Sequence, residues 1–298
     1  MAYVPRFPHV LSGIPGFKES IAFLSSANIG SVDRAIVFVH GFSGQAKTTW
    51  SDFLSLVDDR QTSRWWETAD LYFFDYCWDS VFQRIAKNTN LLNGFLDTVF
   101  PAPPQELFEA AEMTLRPAFE YKHLTLVGHS EGGLLVRKVI LNVADRDPRL
   151  DQYMRNRLVT PTKEPDPVGL EVAQVRLFAP AIGGESLTGL LGIIAHNAVI
   201  APFLRPSAAK TGMAETSSSI TVPRSSTDRY TDHLAMECFR AHILWADNDA
   251  IVNGERYRKD PECRNLPPGT SHVTVCKPNT NYPRPLTFVE SGVINGKC

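Results

Sequence analysis

The chain has 298 residues, 43% of them hydrophobic and 21% charged, and 30 basic against 32 acidic side chains give a formal net charge of −2. Such a composition buries a sizeable core and excludes wholesale disorder. It lacks the clustered basic excess that neutralises phosphates, so no nucleic-acid partner is expected.

Taken in chain order, short β-branched or aromatic runs alternate with longer helical stretches, which predicts a mostly parallel sheet with helices on both faces. Residues 1–32 are read as an antiparallel hairpin at the sheet edge. The first clear strand is 35–39, Ala-Ile-Val-Phe-Val, apolar at every position as a strand buried on both faces must be. A loop, His40-Gly41-Phe42-Ser43-Gly44, leads to a helix near 49–57. A strand at 71–76 and a helix over 80–96 follow. Pro101, Pro103 and Pro104 interrupt the chain before a helix at 105–121. The strand 123–127 turns sharply through Gly128-His129-Ser130-Glu131-Gly132-Gly133 into a helix over 132–144, whose Leu135, Val136, Val139, Ile140 and Val143 recur at helical spacing. A fourth strand spans 174–179 and a fifth 242–246. Residues 272–275 and a helix or strand near Phe288 close the chain.

Between these last two strands, 187–204 is rich in Leu, Ile, Val and Ala, with His196 and Asn197 in its middle and Pro202 near its end. A polar pair at mid-depth is costly in lipid, so the segment is read as a buried or lid helix rather than a membrane span. Residues 216–227 read as a Ser/Thr-rich loop. The five cysteines, Cys77, Cys238, Cys263, Cys276 and Cys298, are odd in number and scattered, which argues against a disulfide framework or a CxxC metal site. A reduced, cytoplasmic setting is expected, with Cys263 and Cys276 close enough in sequence to pair. Residues 1–10 hold two prolines and no apolar core, unlike a signal peptide.

Gly128-His129-Ser130-Glu131-Gly132 fits G-x-S-x-G between a buried strand and a helix, the context that motif requires. A tight turn there lifts the Ser130 hydroxyl above the sheet, and the flanking glycines let strand and helix close on each other. The new helix points its free N–H groups at the reaction centre, so the Glu131 N–H is a candidate oxyanion donor. The Phe42 N–H in the loop after the first clear strand is the candidate for the second, with His40 structural.

Of the eight histidines, only His272 lies beyond the last clear strand, where the chain order Ser, Asp, His places the base. Asp249 is the favoured orienting carboxylate, because the Ala-Ile-Val after it anchors the loop in the core. Asp247 and, more remotely, Glu185 are the alternatives. A Ser130–His272–Asp249 triad needs no metal or organic cofactor.

On HGFSG (40–44), GHSEGG (128–133), DNDAIV (247–252) and HVTVCKP (272–278), the chain resembles the α/β-hydrolase superfamily, specifically lipase-like serine esterases, over residues 35–289. It is most similar to the branch of GPI inositol-deacylase-like and serine-active-site-protein-like lipases, in which a histidine shortly before Cys-Lys-Pro closes the triad. RLFAPAIGG (176–184) is similar to that branch's strand leading into its lid. The resemblance implies a single domain over 1–298 with a lid inserted at about 181–240, before the strand carrying the acid. It also implies hydrolysis of a small-molecule ester or lipid. An apolar lid favours a hydrophobic acyl group. Thioesterase or acyltransferase activity with the same triad is the alternative, followed by peptidase activity and a non-catalytic binding module. The pair Trp65-Trp66 is read as packing, with peripheral membrane contact as its alternative.

Overall fold

The structure, a computed structural model, describes residues 10–14, 17–23, 32–41, 44–53, 65–76, 84–110, 120–146, 169–183, 226–231, 236–247, 249, 251–252, 256–264 and 267–293. Eight strands form one sheet: β1 (Val10–Ile14), β2 (Phe17–Phe23), β3 (Arg34–Val39), β4 (Ala69–Phe74), β5 (His123–His129), β6 (Ala173–Phe178), β7 (Ala241–Leu244) and β8 (Glu262–Cys263). Their spatial order is β1-β2-β4-β3-β5-β6-β7-β8. Strands β3 to β8 run parallel, and β1 and β2 add antiparallel at one edge, the hairpin expected of the N-terminal region.

The central strands are where full apolarity demands they be. Ala35 to Val39 of β3 are at most 1% exposed. Phe38 stacks on Phe73 of β4 at 4.8 Å and meets Trp50 at 5.1 Å, so aromatic rings fill the layer over the sheet. Burying each such ring is worth about 2–3 kcal/mol. Among the described residues, four helices bear on the site or close the fold: α1 (Ala46–Thr49), α2 (Arg84–Val99), α3 (Glu131–Arg146) and α4 (Arg284–Ser291). Helix α3 tucks its buried Leu135, Val136 and Val139 face into the core.

The order of strand addition reverses at β3: β4 lies on one side of it, while β5 and all later strands lie on the other. In an open α/β sheet that reversal opens a crevice at the carboxyl ends of the strands. Register brings the relevant loops to one level. Val39 pairs with Gly128, His129 with Phe178, and Phe178 with Leu244. The segments after β3, β5, β6 and β7 therefore all leave the sheet at the same rim.

Several expectations shift. The helix expected at 49–57 begins at Ala46, and that expected at 105–121 is described only as Gln105–Ala110. The polar, proline-bearing stretch before His272 holds β8, a two-residue strand held by Ile243 and Leu244 of β7. The expectation of reduced cysteines is overturned at one position. Cys263 is disulfide-bonded, and its partner is neither Cys238 nor Cys276, since neither of these forms a disulfide. A two-residue strand has few hydrogen bonds of its own, so a covalent tie at Cys263 reinforces the sheet where it is weakest. Trp65 is buried, as packing requires. The apolar segment 187–204 and most of the lid expected at 181–240 lie outside the described residues, as does Glu185. Among the described residues no helix is long and apolar enough to cross a membrane.

Candidate active site

Ser130 caps β5 with φ 53°, a left-handed backbone that costs a residue with a side chain of order 1–3 kcal/mol and survives only when its surroundings enforce it. They do. The Ser130 N–H donates to the Phe178 carbonyl at 3.0 Å, and the Ser130 carbonyl accepts from Gly133 and Ala181, each at 3.0 Å. Glycine at 132 is obligatory for close approach: a Cβ there would lie 2.4 Å from the carbonyl oxygens of both Val39 and His40. Helix α3 is thus pressed against the end of β3, with Glu131, 2% exposed, as its first residue.

The loop after β3 reaches the serine from the other side. A Cβ on Gly41 would lie 2.7 Å from the Ser130 Cβ. His40 anchors this loop: its Nδ1–H donates to the Gly41 carbonyl at 2.8 Å, its Nε2 lies 2.8 Å from Asp75 Oδ1, and the Tyr76 hydroxyl donates to its carbonyl at 2.8 Å. The Tyr76 ring stacks on the imidazole at 4.2 Å. Phe42, the expected second oxyanion donor, lies outside the described residues.

This is the strand–turn–helix geometry of a nucleophile elbow at the switch point of a sheet ordered 1-2-4-3-5-6-7-8. The chain has the α/β-hydrolase fold. No protein-family model and no curated protein matches the chain. Solved structures do match it. Esterase B from Lactobacillus rhamnosis, bound to a tributyrin phosphonate inhibitor, is 12% identical, with 91% of this chain and 77% of that one covered at a TM-score of 0.47. Carboxyl esterase 2 from the mycorrhizal fungus Tuber melanosporum is 12% identical over 96% and 84%, at 0.46. Siderophore hydrolase EstB from Aspergillus fumigatus is 13% identical over 92% of each chain, at 0.44. The finer likeness to one lipase branch rests on the short motifs alone.

The two favoured partners of Ser130 sit on the same rim of the α/β-hydrolase sheet. The His272 Nδ1–H donates to Asp249 Oδ2 at 2.8 Å. The other oxygen of Asp249, Oδ1, accepts from the backbone N–H of Ile251 at 2.9 Å and of Val252 at 3.1 Å. Burial would raise this acid. The bond from His272, the charge beside it and the two backbone donors outweigh that and hold the carboxyl below its ordinary value. Buried Val252 and the core-packed Ile251 pin the loop, so the carboxylate stays at the rim. Asp247 takes a different task, accepting from the Gly269 N–H at 3.3 Å.

His272 is 3% exposed and sits in a turn tied by Ser271 and Thr274, whose hydroxyls lie 3.0 Å apart. Its carbonyl accepts from His129 Nε2 at 2.8 Å, which seats the turn against the elbow. Two buried atoms here have no hydrogen-bond partner: Ser130 Oγ and His272 Nε2. A buried polar atom left unpaired costs about 1–3 kcal/mol, and such orphans cluster where chemistry needs a free lone pair or proton. Four residues further on, Cys276 is a fully buried thiol against the Val273 carbonyl. The remaining histidines stand apart, at the opposite end of the strands from the rim: His123 opens β5, and the His242 Nδ1–H on β7 donates to the Gly292 carbonyl at 2.8 Å. His9, His196 and His233 lie outside the described residues. Among the described residues no cluster of His, Cys, Asp and Glu could hold a metal ion.

Sequence reasoning assigned no role to His129, Asp75 or Tyr76. The position of His129 inside G-x-S-x-G was its one signal. Nothing in the spacing of Asp75 and Tyr76, 35 and 36 residues after His40, announces that they clamp it.

Proposed function

We propose that the protein is a serine-dependent carboxylic ester hydrolase in which Ser130 is the nucleophile, His272 the base and Asp249 the residue that orients it. One observation carries this reading: His272 spends Nδ1 on the part-buried Asp249 carboxylate and keeps Nε2 unpaired, on the rim where Ser130 Oγ is also buried and unpaired. A carboxylate at Nδ1 fixes the tautomer with a lone pair on Nε2, the form that accepts a serine proton.

In the first step His272 Nε2 takes the Ser130 proton as Oγ attacks the ester carbonyl carbon. The tetrahedral oxyanion accepts hydrogen bonds from the backbone N–H groups of Glu131 and Phe42, each worth about 3 kcal/mol in a dry site. Collapse expels the alcohol, protonated by His272, and leaves an acyl-enzyme. Water then gives a proton to His272, attacks the acyl carbon and releases the acid. Asp249 stays ionised throughout and balances the imidazolium. A cap at about 181–240 over this rim, with 187–204 facing the acyl chain, would favour hydrophobic acyl groups. The same cap on a single domain would bring such substrates in from solution or from a membrane surface.

The test is hydrolysis of p-nitrophenyl esters from short to long acyl chains by wild type and Ser130→Ala. Turnover by the wild type and none by Ser130→Ala supports the reading, and the chain-length optimum defines the acyl pocket. Should neither turn over any ester while a fluorophosphonate probe labels Ser130, the nucleophile is live and the substrate class is wrong. A wild type that the probe does not label overturns the triad.

A further inference from the structure

We propose that His129, the residue before the elbow serine, is a positioning residue that fixes the base by hydrogen-bonding the backbone carbonyl of His272. The inference rests on the triad reading and adds to it a residue outside the triad.

His129 Nε2 lies 2.8 Å from the His272 carbonyl oxygen, across 143 residues of sequence. A carbonyl only accepts, so Nε2 carries the proton and Nδ1 keeps the lone pair. The ring is 8% exposed and is held on several sides. It meets the Trp50 ring edge-on at 6.4 Å and lies 5.0 Å from the His272 ring. A Cβ on Gly41 would come within 3.3 Å of its Nδ1. One side chain thus touches the nucleophile's turn, the loop after β3 and the turn that bears the base. Burial, followed by the charge of His272, pushes His129 down to about 3. It therefore stays neutral at any working pH and adds no second positive charge when His272 becomes an imidazolium.

The two anchors of His272 do different things. Asp249 sets the tilt and tautomer of the ring through Nδ1 but leaves the backbone free to shift. The bond from His129 fixes the backbone carbonyl, one bond from the Cα on which the ring swings. Because His129 is joined covalently to Ser130, the distance between nucleophile and base is set by a short chain of rigid parts. A misplacement of about 1 Å in such a pair costs on the order of 10²-fold in rate.

The experiment compares His129→Phe, which keeps a ring for Trp50 and removes the donor, with His129→Gln, whose amide N–H reaches the place of Nε2. Both are assayed with p-nitrophenyl butyrate and with a fluorophosphonate probe. The expected result for His129→Phe is a kcat lowered by at least about tenfold, KM within about twofold of wild type, and probe labelling slowed in parallel. His129→Gln is expected to return kcat to within about threefold of wild type. If circular dichroism finds His129→Phe unfolded, His129→Met, also without a donor, replaces it. A donor-less variant with wild-type kcat overturns the proposal. So does a His129→Gln variant as impaired as the donor-less one, since packing and not the hydrogen bond would then be at stake. An active wild type with either result leaves the triad standing, whereas an inactive, unlabelled wild type removes the triad and this inference together.

Discussion

Two histidines line the same rim of the sheet, and each has a carboxylate oxygen at 2.8 Å: His272 with Asp249 and His40 with Asp75. The pairs look alike on paper and differ in what is left over. His40 spends both ring nitrogens, one on the Gly41 carbonyl and one on Asp75, and its carbonyl is held by Tyr76. His272 spends one nitrogen and keeps Nε2 unpaired. Their carboxylates differ too, with 9% of the Asp249 side chain exposed against 28% for Asp75. A histidine with a spare nitrogen can carry a proton to and from a neighbour. One with none to spare can only hold its loop still.

The difference can be broken by substitution, and the largest effect is expected at His272. His272→Ala is expected to lower kcat for a p-nitrophenyl ester by on the order of 10⁵-fold while far-UV circular dichroism stays unchanged. Asp249→Asn comes next, at on the order of 10⁴-fold, because an amide at that position turns the imidazole to the wrong tautomer. The same variant has a stability signature. An acid depressed in the folded state contributes stability above its unfolded value and loses it as pH falls through its folded value. The Tm gap between wild type and Asp249→Asn should therefore be widest near neutrality and narrow as pH drops below the ordinary carboxylate range. Asp75→Asn sharpens the contrast from the other side: kcat within about tenfold of wild type, and a stability loss of about 1 kcal/mol, as befits a partly exposed pair. An Asp75→Asn variant as inactive as Asp249→Asn would make His40 a catalytic partner and erase the distinction between the pairs.

Much of this candidate site was legible in the sequence. The strand ending at Val39 is buried on both faces, so its residues 35–39 are apolar without alternation, and the strands ending at His129 and Phe178 are buried over most of their length and bounded by turn residues. Ser130 announced itself by sitting between such a strand and a helix. Chain order made His272 the candidate base and the apolar residues after Asp249 made it the candidate acid, and the structure brings the two within 2.8 Å. The illegible parts share a cause. Strand β8 is two residues long, too short for any period, and exists because β7 offers it a partner. The clamp on His40 and the bond from His129 to His272 join residues 36 and 143 positions apart through single atoms. No local pattern encodes such contacts, because the fold alone brings those atoms together. The disulfide at Cys263 was hidden by cysteine arithmetic, which sees number and spacing but not which thiols the core leaves free.

Cys276 shows what that core does to reactivity. It lies four residues from His272, near enough in sequence to tempt anyone designing a covalent inhibitor. Burial pushes its thiol up to about 12, so at neutral pH only about one molecule in 10⁵ carries the thiolate that alkylating agents and peroxides attack. Maleimides and iodoacetamide should pass Cys276 by unless the protein unfolds. An irreversible inhibitor aimed at this rim would need a warhead for serine rather than for Cys276, and mild oxidants should leave this thiol untouched.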